Sequence, residues 1–187
     1  MSWMNEIDQI RNDVSNHRML LSSALLLTAQ AVRNVVQPGI VFWLNREVVG
    51  YDKEDCDFVL NSGDQWVFLA RNVVAPWGRT RPNGVFIAKG SASAVLTDGI
   101  QQIETALSNM FDISIFEQGQ RELIDRTIKS SNCDMERCFV PYMGVEGAAL
   151  AVSGKDLVNI YFGVCANLCN LINSVKQSMS GKYLLVP

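Results

Sequence analysis

Trp66-Val67-Phe68-Leu69-Ala70 is the stretch on which the fold turns, because it is apolar, rich in β-forming residues and does not alternate. Strict alternation marks a strand with one wet face, whereas a continuous apolar run marks a strand covered on both faces, as a central strand under helices is. Around it, from residue 40 to 89, short clusters of Val, Phe and Trp are separated by turn residues. That pattern predicts about five antiparallel strands, near 40–44, 47–51, 58–60, 66–74 and 85–89. Asn45-Arg46 and Asn61-Ser62-Gly63-Asp64 supply tight connections between them.

On the N-terminal side the period changes. Trp3, Ile7, Ile10, Val14, His17 and Leu21 begin an apolar line at alternating spacings of four and three, which continues through Val35. This predicts one long helix over about 2–37, ended by Pro38-Gly39. Beyond residue 95 helical spacing returns. Thr97 and Asp98 can cap a helix carrying Ile100, Ile103, Leu107 and Met110 on one face, and Phe116, Leu123, Ile124 and Ile128 mark a second. Leu157, Tyr161, Val164, Leu168, Ile172, Val175 and Met179 mark a third. Residues 144–154 read equally as a buried strand or a closely packed helix. The class is α+β: an N-terminal helix, a sheet over about 40–90 and a helical half over about 95–181, in one domain spanning 1–187.

Composition agrees with a packed domain. Hydrophobic residues make up 48% of the chain and charged residues 19%, which separates it from disordered sequences. Sixteen basic against nineteen acidic residues give a net charge of −3, so no global field draws the protein to nucleic acid or an anionic membrane. The apolar run 19–31 imitates a secretory signal, but acidic residues Glu6, Asp8 and Asp13 precede it where a signal is positively charged. Arg18 and Arg33 bound it too tightly for a membrane span of about 20 residues. The expectation is a protein of the cytoplasm, or of the host cytoplasm or virion if viral, with no membrane partner.

Five cysteines, Cys56, Cys133, Cys138, Cys165 and Cys169, form an odd set without a disulfide framework and read as reduced thiols. Neither the 133/138 nor the 165/169 pair has the knuckle spacing of structural zinc, and no metal or other cofactor is expected. The single histidine, His17, sits on the apolar helical line without an orienting carboxylate, and no G-x-S-x-G turn accompanies it. Asp52, Glu54, Asp55 and Asp57 cluster without the glycine and terminal Glu of a calcium loop, since Leu60 and Trp66 stand there. Residues 149–156 brush against the phosphate-loop pattern, but Ala149 replaces its first glycine and Asp156 its metal-binding hydroxyl. No catalytic residue is assigned.

Two candidate surfaces remain. Residues 75–84 carry Trp77, Arg79 and Arg81 among turn formers and can grip an acidic protein, a phosphate or a single strand. Trp3, Ile7, Ile10, Val14 and His17 form a narrow seam with charged borders, which suits a partner helix or the chain's own core. The function these features favour is a non-enzymatic interaction or assembly subunit, such as a viral or phage structural component, whose partner is itself or another protein. The alternatives are a small-ligand site or enzyme near residues 76–84, and a nucleic-acid accessory protein using Trp77 to Arg81, which the acidic net charge disfavours.

Overall fold

A computed structural model describes residues 3–16, 18–62, 65–111, 137–141 and 145–179. Helices α1 (Trp3–Ser15), α2 (Leu21–Val32), α3 (Pro38–Val49) and α4 (Lys53–Ser62) precede a 3₁₀ helix, Gln65–Arg71. Strands β1 (Asn72–Thr80) and β2 (Phe86–Val95), helix α5 (Ile100–Phe111), strands β3 (Arg137–Pro141) and β4 (Ala148–Ser153) and helix α6 (Gly154–Met179) follow. The α+β class holds, with helices at both ends of a four-stranded antiparallel sheet of order β2-β1-β4-β3. The strands number four among the described residues, not five.

The differences are local and have identifiable causes. Residues 40–44 and 47–51 lie in or at the end of α3 instead of forming strands, because Pro38 occupies the first helical turn, where its missing N–H costs nothing. Gly50, at φ 99°, ends that helix, and its N–H returns to the Arg46 carbonyl at 2.8 Å. Residues 58–60 fall in α4. The apolar run at residue 66 is split: 65–71 forms the 3₁₀ helix, and only from Asn72 is the chain extended. The predicted N-terminal helix is broken between Ser15 and Leu21. Residues 148–153, left open by periodicity, form a strand, and the predicted helix around Phe116 to Ile128 lies outside the described residues.

Inside the sheet, β1 pairs with β2 from Asn72↔Val95 to Thr80↔Phe86, with a bulge that leaves Lys89 without an opposite residue. Its pairing with β4 is confined to Trp77↔Leu150, Gly78↔Ala149 and Arg79↔Ala148. Pro76 accounts for that limit, because it offers no N–H to continue the β4 ladder. At Gly78 the strands come too close for a side chain, since a Cβ would lie 1.9 Å from the Ile87 carbonyl oxygen.

Helix α6 organises the core. Leu157, Ile160, Val164, Leu168, Ile172 and Val175 are buried along it. By length and composition α6 is also apolar enough to cross a membrane, the one such helix among the described residues, but here its apolar line packs against α1, α5 and the sheet. Asp8 pairs with Lys176 across the α1–α6 contact, and Arg11 donates to the Asn173 amide oxygen at 2.7 Å. The sequence that imitates a phosphate loop is the start of α6. Ser153 Oγ donates to Asp156 Oδ2 at 2.6 Å and accepts from the Asp156 N–H at 3.2 Å, a reciprocal cap that satisfies helix-end donors.

Candidate functional site

Among the described residues, the most concentrated polar cluster joins α3 to the 3₁₀ helix. Trp43, Glu47 and Tyr51 follow one another at spacings of four, so α3 and its end present them on one side. Glu47 is fully buried, and so is Arg71, the last residue of the 3₁₀ helix. Arg71 Nη2 donates to Glu47 Oε2 at 2.5 Å and Nε to the same oxygen at 3.1 Å. Glu47 Oε1 accepts from Trp43 Nε1 at 3.1 Å and Tyr51 Oη at 2.8 Å. The other arm of the guanidinium, Nη1, donates to the carbonyls of Leu96 at 3.1 Å and Asp98 at 2.6 Å. Tyr51 lies with its ring centroid 5.3 Å from the Arg71 guanidinium carbon, and its own N–H reaches the Thr97 carbonyl at 2.8 Å.

A charge pair removed from water is tolerable only when its remaining donors and acceptors are satisfied, and here both carboxylate oxygens and all three guanidinium nitrogens have partners. Burial, and then the charge and hydrogen bond of Glu47, push the Tyr51 phenol well above its ordinary range, so it stays a donor. The arrangement is a clamp that ties α3, the 3₁₀ helix and the 96–98 connection together. With neither charged group open to solvent, it has no face for a substrate.

Two further networks are structural in the same sense. The Glu104 carboxylate on α5 accepts from the Ser22 N–H at 3.1 Å and the Ser22 hydroxyl at 2.6 Å. It thereby caps the start of α2, whose own N-cap residue, Leu20, provides no side-chain bond. Burial raises the Glu104 carboxyl above the usual range despite these bonds. The acidic cluster near residue 52 resolves into the start of α4. The Asp55 N–H donates to Asp52 Oδ1 at 2.9 Å and the Asp52 N–H to Asp55 Oδ2 at 3.0 Å, while Arg46 Nε pairs with Asp55 Oδ1 at 3.1 Å. The Asp55 N–H holds the Asp52 carboxyl below its ordinary range.

Of the residues singled out in the sequence, Trp77 and Arg79 lie on β1 and not in a loop, and the turn proper is residues 81–85. Trp77 is half-buried over Gly90, where an added Cβ would stand 3.4 Å from the indole nitrogen. Arg79 is exposed, with Nη2 3.3 Å from the Glu146 carbonyl oxygen. Arg81 is exposed in the turn, its backbone bonded to Val85 and Gly84. Ile7, Ile10 and Val14 are buried in the chain's own core, and Trp3 packs against it half-covered. That seam is occupied within the chain, and His17 lies outside the described residues. Cys138 is on β3 and Cys165 and Cys169 are on α6; no group of three or more potential metal ligands occurs among the described residues.

The sheet edge was missed by residue-level reading. Strand β2 has ten residues, its central stretch is exposed, and it has no second strand neighbour among the described residues. The Leu96 N–H bonds to the Arg71 carbonyl at 2.9 Å, which sets the phase of the ladder. By alternation Ala94 and Ala92 also face β1, whereas Val95, Ser93 and Ser91 turn their N–H and C=O groups outward. Beside this edge Val74 is 73% and Val85 53% exposed, and Phe139 of β3, 49% exposed, sets its ring 5.0 Å from that of Phe86 on β2. No family model, curated protein or solved structure matches the chain.

Proposed function

We propose that the protein is a non-enzymatic interaction or assembly subunit that self-associates through the open edge of its sheet. The observation that carries this is β2 itself, a ten-residue edge with outward backbone groups at Ser91, Ser93 and Val95. Monomeric proteins blunt such edges with short strands, prolines, inward charges or several lysines, because an open ladder recruits other strands. Here one lysine, Lys89, and one bulge stand guard, both at one end.

A second copy of the chain fits the edge. An antiparallel pairing about a two-fold axis at Ser93 sets Ser91 against Val95 and Ala92 against Ala94, all small or β-branched. It sends the two Lys89 side chains to opposite ends, so no like charges meet. The sealed Glu47–Arg71 clamp supports the non-enzymatic half of the reading, since the densest polar cluster among the described residues is devoted to structure.

Ser93→Pro tests it. The substitution removes an outward N–H while leaving the β1 ladder complete, a position where an edge strand accepts proline. Sedimentation velocity and native mass spectrometry should give a dimer for the natural chain and a monomer for the variant, with unchanged far-ultraviolet circular dichroism. A natural chain that is monomeric at its highest soluble concentration, or a variant that still dimerises, would refute the proposal.

A further inference from the structure

The tip of the β1–β2 hairpin carries a face that pairing at the β2 edge does not use. Arg79 stands opposite Ile87 in the ladder, and the Arg81 N–H bonds to the Val85 carbonyl at 2.8 Å, which carries the pairing one step into the turn. Opposed residues, and residues two apart, share a face of a strand pair, so Arg79, Arg81, Val85 and Ile87 stand side by side. All four are exposed. Glu146 lies beside them, its carbonyl accepting from Arg79 Nη2 at 3.3 Å, but two guanidinium groups against one carboxylate leave the face positive.

A surface of opposite character lies at the other end of the hairpin. Helical spacing sets Glu54, Asp57, Phe58 and Asn61 on the outer side of α4, all exposed, while Asp55 and Val59 are buried on the inner side. Phe58 is 60% exposed, yet its ring is braced edge-on by Phe42, with 5.7 Å between centroids. With Asp52 included and Lys53 set against it, the exposed charge here is negative.

We propose that the hairpin-tip face docks the outer side of α4 from a second copy of the chain, head to tail. Arg79 and Arg81 pair with Glu54 and Asp57, and Phe58 lies over Val85 and Ile87. Charge complementarity selects this occupant, and an aromatic anchor beside arginines is the composition that protein interfaces favour. The spacings agree: residues two apart on a strand are about 7 Å apart, and residues three apart on a helix hold their Cβ atoms about 5–6 Å apart. The two surfaces cannot meet within one chain. Helix α4 packs on the 3₁₀ helix that leads into the start of β1, and from Asn72 to Arg81 the strand runs about 30 Å away from it. Because the two surfaces differ, the contact is heterologous and propagates from copy to copy, unlike the two-fold pairing at β2. Four residues meeting four make a small interface, in the class of transient contacts that bury less than about 1,200 Å². Its charges make it sensitive to salt, since the screening length falls from about 30 Å at about 0.01 M to about 3 Å at about 1 M.

The test uses the full chain carrying Ser93→Pro, so that the β2 edge is closed, followed by sedimentation velocity. At about 0.01 M salt this chain should form assemblies that grow with concentration, and at about 1 M it should be monomeric. Adding Arg79→Glu/Arg81→Glu, or instead Glu54→Arg/Asp57→Arg, sets like charges against each other and should raise the apparent Kd at least about 10-fold, with an unchanged circular dichroism spectrum. An equal mixture of the two charge-reversed chains should assemble again at low salt, because each now meets its opposite. The proposal is overturned by a Ser93→Pro chain that stays monomeric at low salt, by either reversed chain assembling alone as before, or by a mixture that remains monomeric. Unchanged assembly of the Arg79→Glu/Arg81→Glu chain together with lost binding of a single-stranded oligonucleotide would overturn it in favour of nucleic acid. The β2 pairing stands or falls separately, on whether Ser93→Pro halves the mass of the otherwise natural chain at about 1 M salt.

Discussion

Replacing Arg71 with Met should destabilise the protein by about 3–5 kcal/mol, the range for removing one partner of a buried ion pair. Methionine fills much of the space of the arginine stem, so the cost arises chiefly from charge. Glu47 would retain the donors Trp43 and Tyr51 but would lose all three guanidinium bonds to its carboxylate at a site without solvent. The Leu96 and Asp98 carbonyls would lose their donor as well. For a chain of this size, about 2–4 °C per kcal/mol turns that loss into a fall of about 6–20 °C in Tm. Against a typical total of about 5–15 kcal/mol, the variant stands near the edge of folding. Adding Glu47→Gln separates charge from packing. The amide oxygen still accepts from Trp43 and Tyr51, no anion is stranded, and the double variant should regain at least about 2 kcal/mol over Arg71→Met alone. Urea titration followed by Trp fluorescence measures all three proteins. A loss below about 1 kcal/mol for Arg71→Met, or no recovery in the double variant, would refute the account of the clamp as a mutually dependent charge pair.

Two further consequences concern groups the helices enclose. Tyr51 and Tyr161 have folded-state phenol pKa values raised above the unfolded value, chiefly by burial, so their contribution to stability is complete below about pH 10 and is lost as pH rises through the folded values. In an alkaline spectrophotometric titration both should ionise only together with loss of structure, and Tyr51→Phe/Tyr161→Phe should remove that late absorbance step. Thr28 is fully buried on α2 and its hydroxyl has no hydrogen-bond partner, so the near-isosteric Thr28→Val should raise stability by about 1–2 kcal/mol in the same urea assay.

The α+β class and the core line of α6 were legible because both rest on period and composition. Leu157, Val164, Leu168, Ile172 and Val175 are buried at the spacing that the sequence displays. The misreadings have a common origin: a local signal with two meanings was resolved by tertiary contacts. Pro38 is a helix stop when it follows a helix and a helix start when it leads one, and its second meaning prevailed because Trp43 and Glu47 gain partners only on a helical α3. The break before Leu21 carries no proline or glycine. Its start is capped from a distance by Glu104, a partner 82 residues away that no window of sequence shows. A different signal for the clamp was present and unused: Trp43, Glu47 and Tyr51 at spacings of four place one acid within an apolar helical side, and an acid so placed requires a buried partner. The Asp52/Asp55 and Ser153/Asp156 pairs were also readable, as polar residues three apart at helix starts.

These corrections also change where a partner can be sought. Had residues 40–51 been strands, they would have extended the sheet and given it other edges. With those residues in α3, the sheet is shorter, and its order leaves β2 at one margin. The α1 seam, the other surface suggested by the sequence, has Ile7, Ile10 and Val14 already covered, with Lys176–Asp8 and Arg11–Asn173 fastening α1 to α6. Recruiting that seam to a partner helix would require undoing an apolar contact and these polar ones together. Pairing at β2 requires only the desolvation of backbone groups that a second strand would satisfy again. Under the proposed self-association, these relative costs favour the sheet edge over the α1 seam.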